Sequence, residues 1–168
     1  PTALAVAANA VGNVVSMFQL MPGLAIGIAV VTVVSRCVGA GNYDQARYYT
    51  MKLIKLTYIM HLILNAAIFL ALPLIIKAYN LSSGTGLLAE ELLTMHGFFA
   101  VTVWPIAFTL PNTLRASNDA KFTMIISVVS MWIFRIGFGI LMGSVFGMGV
   151  MGVWIAMIID WFVRAVLF

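Results

Sequence analysis

Polar side chains recur at helical spacing inside the long apolar stretches of this sequence, and these residues could do chemistry there. Asn9, Asn13 and Ser16 follow one another at intervals of four and three residues, which places them on one face of a helix. His61 and Asn65 form a similar pair farther along the chain. Within a membrane, such a face lines an aqueous cavity or bonds to a neighbouring helix. Both interpretations stay open for all five residues, and the histidine adds proton handling as a third.

A second group of candidates lies in an apolar stretch that contains two prolines, Pro105 and Pro111. Prolines six residues apart disfavour a regular helix, and broken helices at mid-membrane commonly line substrate paths. We therefore expect the neighbouring polar and aromatic side chains to line a cavity: Thr102, Trp104 and Asn112.

The sequence lacks the motifs of known catalytic and metal sites. It has no Cys/His metal spacing, no phosphate-binding Gly-Lys-Thr loop and no serine nucleophile elbow. Asp119 and Asp160 are expected at different depths, which argues against an aspartyl dyad. The sequence thus predicts a protein that is not an enzyme and uses no cofactor, with an intramembrane enzyme as the weaker alternative.

The composition excludes an ordinary soluble domain, with 63% hydrophobic and 8% charged residues. Five apolar stretches are each long enough, at about 1.5 Å per residue, to cross a hydrocarbon layer of about 30 Å. The sequence therefore predicts an all-α polytopic transmembrane bundle with five membrane-spanning helices, at about residues 3–36, 46–78, 88–114, 120–142 and 147–168.

The net charge of +4 predicts membrane topology rather than nucleic-acid binding, because the basic residues flank the apolar stretches and form no continuous patch. Four of them lie between the first apolar stretch and the second, which begins at residue 56: Arg36, Arg47, Lys52 and Lys55. By the positive-inside rule, that turn is cytoplasmic. Five crossings then place the N-terminus outside and the C-terminus in the cytoplasm. We expect a multi-pass protein of the cell membrane whose surroundings are the lipid bilayer.

The remaining charges are expected to have structural or gating roles. Asp119 is placed to cap the helix that follows it and to pair with Arg115, four residues earlier. Arg135 and Asp160 are the most deeply placed charges, on two helices joined by a short turn. Because an unpaired charge at such depth is costly, we predict that Asp160 is ionised and paired with Arg135, Arg164 or both.

Three segments resemble the multidrug and toxic compound extrusion (MATE) transporters. They are the glycine loop 38–42 followed by Ala46, the Leu-Arg-x-x-x-Asp turn within 111–119, and the Gly-Val-Trp-Ile-Ala sequence within 149–157, followed by Asp160, Trp161, Arg164 and Ala165. The resemblance extends over the whole chain. It implies that residues 1–168 are an incomplete C-terminal lobe, helices eight to twelve of a twelve-helix, two-lobe antiporter, whose N-terminal lobe and seventh helix are missing.

The resemblance also implies a function, the export of small organic cations in exchange for Na⁺ or H⁺ by alternating access. Several relatives carry an acidic residue in the tenth helix about where Trp104 stands here, so the coupling ion stays unassigned. One alternative is a flippase for lipid-linked sugars of related architecture, which Arg135 keeps open. A non-transporting membrane subunit is the other.

Overall fold

The computed structural model describes residues 3–168 as a bundle of long helices. Six helices follow one another along the chain: α1 (Ala3–Gly39), α2 (Tyr43–Ala78), α3 (Ser83–Thr102), α4 (Pro105–Ala116), α5 (Ala120–Val145) and α6 (Gly149–Leu167). No strand occurs within residues 3–168. The predicted all-α fold is confirmed.

Four of the helices, α1, α2, α5 and α6, are individually long and apolar enough to cross a membrane. The fifth span is the pair α3 and α4, which are bent by 60° at the break between them. Counting this bent pair as one span gives five candidate membrane spans, one of them broken beside the two prolines as expected. The third span begins at Ser83 rather than near residue 88, and the fourth continues to Val145 rather than 142.

The break between α3 and α4 has a local cause. Pro105 has no backbone N–H to continue the ladder of α3, and the N–H of Leu110 bonds to the Pro105 carbonyl five residues back. This widened, π-helical turn covers Pro105–Thr109, and Phe108 within it and Trp104 directly before it line an interior cavity. The bend therefore brings aromatic side chains into the interior of the bundle.

A glycine allows α1, α2 and the break to meet closely. A Cβ atom on Gly23 would lie 2.1 Å from the Trp104 ring and 2.5 Å from Nε2 of His61. Close packing of this kind is typical of small residues on membrane helices. At the other end of the fold, α5 and α6 approach through Gly152, where a Cβ would lie 2.7 Å from the Met142 backbone.

The fourth span differs from a regular helix in a way that the sequence did not predict. Two segments of α5, Met131–Gly137 and Leu141–Val145, are π-helical. Because a π turn holds more residues than an α turn, side chains beyond Ser130 are rotated relative to a regular helix.

Candidate substrate cavity

An aromatic cavity of about 330 Å³ lies between α1, α3, α4, α5 and α6. Its rings belong to Trp104, Phe108, Trp154 and Trp161. The Trp104 and Phe108 rings stack with centroids 5.1 Å apart, and Phe108 meets Trp161 edge to face at 6.0 Å. Three of the rings belong to buried residues, so they are fixed in place. We call this space the aromatic cavity.

The polar face of α1 borders the aromatic cavity. Asn13 and Ser16 line it, while Asn9 Oδ1 accepts a hydrogen bond of 2.9 Å from the Trp154 indole. The other bonds of this face stay within α1: Asn13 Nδ2 donates to the Asn9 carbonyl and Ser16 Oγ to the Asn13 carbonyl. Both sequence interpretations are thus met on one face, since Asn9 bonds to a neighbouring helix while Asn13 and Ser16 border a cavity.

His61 and Asn65 lie elsewhere, in the interface of α2 with α1 and α3. His61 Nδ1 donates to the Ala100 carbonyl at 2.7 Å, because a carbonyl oxygen can only accept. Asn65 Nδ2 donates to the His61 carbonyl at 2.9 Å. His61 and Asn65 therefore do not line the aromatic cavity with Asn13. His61 Nε2 is buried with no hydrogen-bond partner among residues 3–168.

Asn65 and Thr102 border a second, apolar cavity of about 560 Å³ between α2 and α3. Thr102 Oγ1 donates to the Phe98 carbonyl within its own helix. Asn112 lies on α4 outside both cavities, where its Nδ2 donates to the Phe108 carbonyl at 3.1 Å. The three side chains predicted to line a cavity near the prolines therefore lie in different places. Of Thr102, Trp104 and Asn112, only Trp104 borders the aromatic cavity.

A buried pair that the sequence reasoning missed joins α1 to α3. Gln19 Oε1 accepts from His96 Nδ1 at 2.6 Å, and Gln19 Nε2 donates to the Leu93 carbonyl at 3.3 Å. His96 also packs edge to face against Trp154 and Trp161, and it borders the aromatic cavity. Gln19 and His96 were the polar residues inside apolar stretches that could have signalled this contact.

Asp160 is fully buried and is held by two helices. Both of its carboxylate oxygens accept from Arg164 Nε, at 3.0 and 3.1 Å, and Ser130 Oγ of α5 donates to Oδ1. Arg164 Nη2 donates to the Ser127 carbonyl at 3.0 Å. The predicted pairing of Asp160 with Arg164 is confirmed.

The alternative pairing of Asp160 with Arg135 is wrong. Arg135 lies in the π-helical segment of α5, and the ion pair of Asp160 is made with Arg164. It is exposed, borders the aromatic cavity and makes no ion pair with any residue of the described chain 3–168.

The turn before α5 also differs from the prediction. Asp119 occupies the cap position of α5, but its side chain accepts no capping hydrogen bond. Arg115 does not pair with it, because its Nη1 donates to Asn112 Oδ1 at 2.8 Å and its Nε to Thr123 Oγ1 at 3.4 Å. Arg115 thus ties α4 to α5 without the carboxylate.

A multi-pass helical bundle built around an aromatic cavity is typical of membrane transporters. The MatE family profile matches residues 2–141, and the chain belongs to this family. The structure resembles an inward-facing multidrug resistance MATE family transporter of the MOP superfamily, with a TM-score of 0.76, 20% identity, and coverage of 97% of this chain and 39% of that one.

Relatives of known sequence support the same family. The uncharacterized transporter YisQ of Bacillus subtilis is 27% identical over 91% of this chain and 33% of its own length. A probable multidrug resistance protein NorM of Thermotoga maritima is 27% identical over 97% of this chain and 35% of its own length. The chain spans about a third of the length of these curated relatives.

Proposed function

We propose that this chain forms the C-terminal lobe of an efflux antiporter that exports small organic cations in exchange for Na⁺ or H⁺. The aromatic cavity carries this proposal. Aromatic rings stack on the planar, apolar bodies that many organic cations carry, most strongly where water is excluded. A cavity of about 330 Å³ is a size suited to part of a drug-like molecule.

Hydrogen bonds and ring contacts around the cavity hold its aromatic side chains in place. The Trp154 ring is held by Asn9, and the Trp161 ring packs on His96, which Gln19 orients. Asn13 and Ser16 supply polar groups at the edge of the cavity. In this proposal these two side chains contact substrate, whereas His61, Asn65, Thr102 and Asn112 support the helices around it.

Transport requires a partner for this lobe. In the proposed arrangement an N-terminal lobe of the same protein faces the aromatic cavity, and the two lobes rock within the cell membrane to expose it to either side. The turn between α1 and α2, which Arg36 and Arg47 flank, lies in the cytoplasm, with the N-terminus of this segment outside and its C-terminus inside. Asp160 is bound by Arg164 and Ser130, so we assign it a structural role.

Cation-driven efflux from proteoliposomes that carry the complete protein tests this proposal. A fluorescent organic cation should leave the vesicles when an inward Na⁺ or proton gradient is imposed, and separate gradients identify the coupling ion. Phe108→Leu removes one cavity ring and should raise KM several-fold. Phe98→Leu is the matched control, because Phe98 is exposed on α3 and lies outside the aromatic cavity. If vesicles with the wild-type protein retained the dye whether or not a gradient was imposed, the proposal would be contradicted.

A flippase for lipid-linked sugars is the second candidate, and Arg135 favours it. An arginine beside a cavity can bind a phosphate through paired hydrogen bonds. Transfer of a phosphate-bearing lipid-linked sugar between leaflets, without efflux of the cationic dye, would establish that function instead.

A further inference from the structure

Arg135 places a fixed positive charge at the aromatic cavity. Its side chain borders this cavity and also a neighbouring one formed with Gly139, Gly143 and Val153. Residues 3–168 contain no ion pair to Arg135. Since an unpaired arginine at membrane depth faces a bundle interior or water, its charge acts on whatever enters the cavity.

Among residues 3–168, no lining side chain offsets this charge. The other polar lining groups of the described chain are Asn13, Ser16 and His96, and no carboxylate lines the cavity. Asp160 lies behind the aromatic layer, with its oxygens engaged by Ser130 and Arg164. The Arg164 guanidinium in turn packs 5.1 Å from the Phe108 ring. The cavity thus combines aromatic rings with a positive rather than a negative field.

We propose that Arg135 selects and orients the substrates of this lobe. The aromatic cavity takes the apolar, aromatic end of an organic cation, and Arg135 keeps the positive end directed away from the lobe. This inference rests on the proposed export of organic cations. The substrate class that follows is amphipathic cations with one charged end, and molecules with a positive group at both ends are poor substrates.

The size of the effect follows from Coulomb repulsion. Two unit charges about 8 Å apart, at an effective dielectric constant of about 20, repel enough to weaken binding about 30-fold. Screening by water and salt in an open cavity lowers this to about tenfold. Such a difference is measurable in KM.

The test compares two probes with the same aromatic body. One is a biphenyl with a trimethylammonium group at one end, and the other carries this group at both ends. Their efflux is measured in proteoliposomes of the complete protein, and their binding by quenching of tryptophan fluorescence in detergent. The wild type should show a KM about tenfold higher for the bis-cation.

Three variants test whether Arg135 causes the difference in KM between the two probes. Arg135→Gln should bring the KM ratio of the two probes close to one, while Arg135→Lys retains the charge and should preserve the ratio. Arg36→Gln removes the same charge at the end of α1, outside every described cavity, and should also leave the ratio unchanged. Because Arg135 is exposed and makes no ion pair among residues 3–168, its replacement should not unfold the lobe.

Two results would overturn the inference: equal affinity of the wild type for both probes, or a ratio that persists in Arg135→Gln. Failure of the proposed function is a different result. If the wild type exports neither cation, export is disproved, and the fluorescence-binding ratio alone then supports or overturns the role of Arg135.

Discussion

Arg164 Nε lies 3.0 and 3.1 Å from the two carboxylate oxygens of Asp160, one helical turn away on α6. The same guanidinium donates to the Ser127 carbonyl of α5, and Ser130 of α5 donates to Asp160. Both charged residues are buried. The two buried charges thus neutralise each other, and their hydrogen bonds to α5 join two membrane helices.

Removing either charge should destabilise the lobe. Asp160→Asn leaves the Arg164 guanidinium buried without a counter-charge, and we expect a loss of about 3 kcal/mol in the free energy of unfolding. Thermal or denaturant unfolding of the complete protein in detergent, followed by circular dichroism, measures it. Glu90→Gln is the control, since Glu90 is exposed on α3.

A double variant separates the ion pair from general disruption. Asp160→Asn combined with Arg164→Gln removes both charges, so its loss should be smaller than the sum of the two single losses. Strict additivity would show that the pair does not act as a unit. An Asp160→Asn protein that folds normally but loses ion-dependent efflux would instead make Asp160 the coupling residue.

The contact of Gly23 with His61 and Trp104 predicts a strong steric effect. Gly23→Ala places a methyl group within 2.1 Å of the Trp104 ring, so the ring must move or the helices must separate. We expect a loss of about 1–3 kcal/mol. Gly39→Ala is the matched control, because nothing lies within 4 Å of a Cβ there. Equal stability of the two variants would disprove the close approach.

Much of the fold could be predicted from the sequence because membrane helices are determined by local properties. Long apolar stretches between charged turns indicate the spans, and Pro105 and Pro111 indicate the break. The π-helical segments of α5 could not be predicted in this way. No proline occurs after Pro111 to signal them, yet they change the register of the part of α5 that carries Arg135.

The site was less predictable, because its contacts join residues far apart in the chain. Asn9 bonds to Trp154 across 145 positions, and Gln19 bonds to His96 across 77. Helical spacing placed Asn9 and Asn13 on one face correctly, but it could not indicate which helix that face meets. Helical spacing therefore indicates candidate cavity-lining residues, and only the packing of α6 against α1 shows which of them border the cavity.

The side-chain amide of Gln19, which bonds to His96, should contribute more to stability than the amide of Asn13 on the same helix. Gln19→Leu removes the acceptor of His96 Nδ1 and the donor to the Leu93 carbonyl, leaving two buried polar groups without partners. We expect a loss of about 1–3 kcal/mol of stability. Asn13→Leu on the same helix is the control, because Asn13 is exposed and its side chain donates only to the Asn9 carbonyl. A smaller loss for Gln19→Leu than for Asn13→Leu would contradict the assignment.

The turn before α5 should depend on Arg115 rather than on Asp119. Arg115→Gln breaks the bonds to Asn112 and Thr123, whereas Asp119 makes neither a cap bond nor an ion pair within the described chain. Asp119→Asn should therefore change stability by no more than about 0.5 kcal/mol, with a larger loss for Arg115→Gln. Unfolding measurements on the two variants decide this, and the reverse order would restore Asp119 as the structural residue.

Asn13 and His61 should affect efflux in different ways. Asn13 borders the aromatic cavity and is exposed, so Asn13→Leu should raise KM for an organic cation while the protein inserts and folds normally. His61 is buried against Ala100, Gly23 and Trp104, so His61→Leu should lower stability and the amount of folded protein. Efflux normalised to folded protein, as judged by size-exclusion chromatography, separates the two effects. If His61→Leu folds normally and alters KM while Asn13→Leu does not, then His61, and not the exposed face of α1, contacts the substrate.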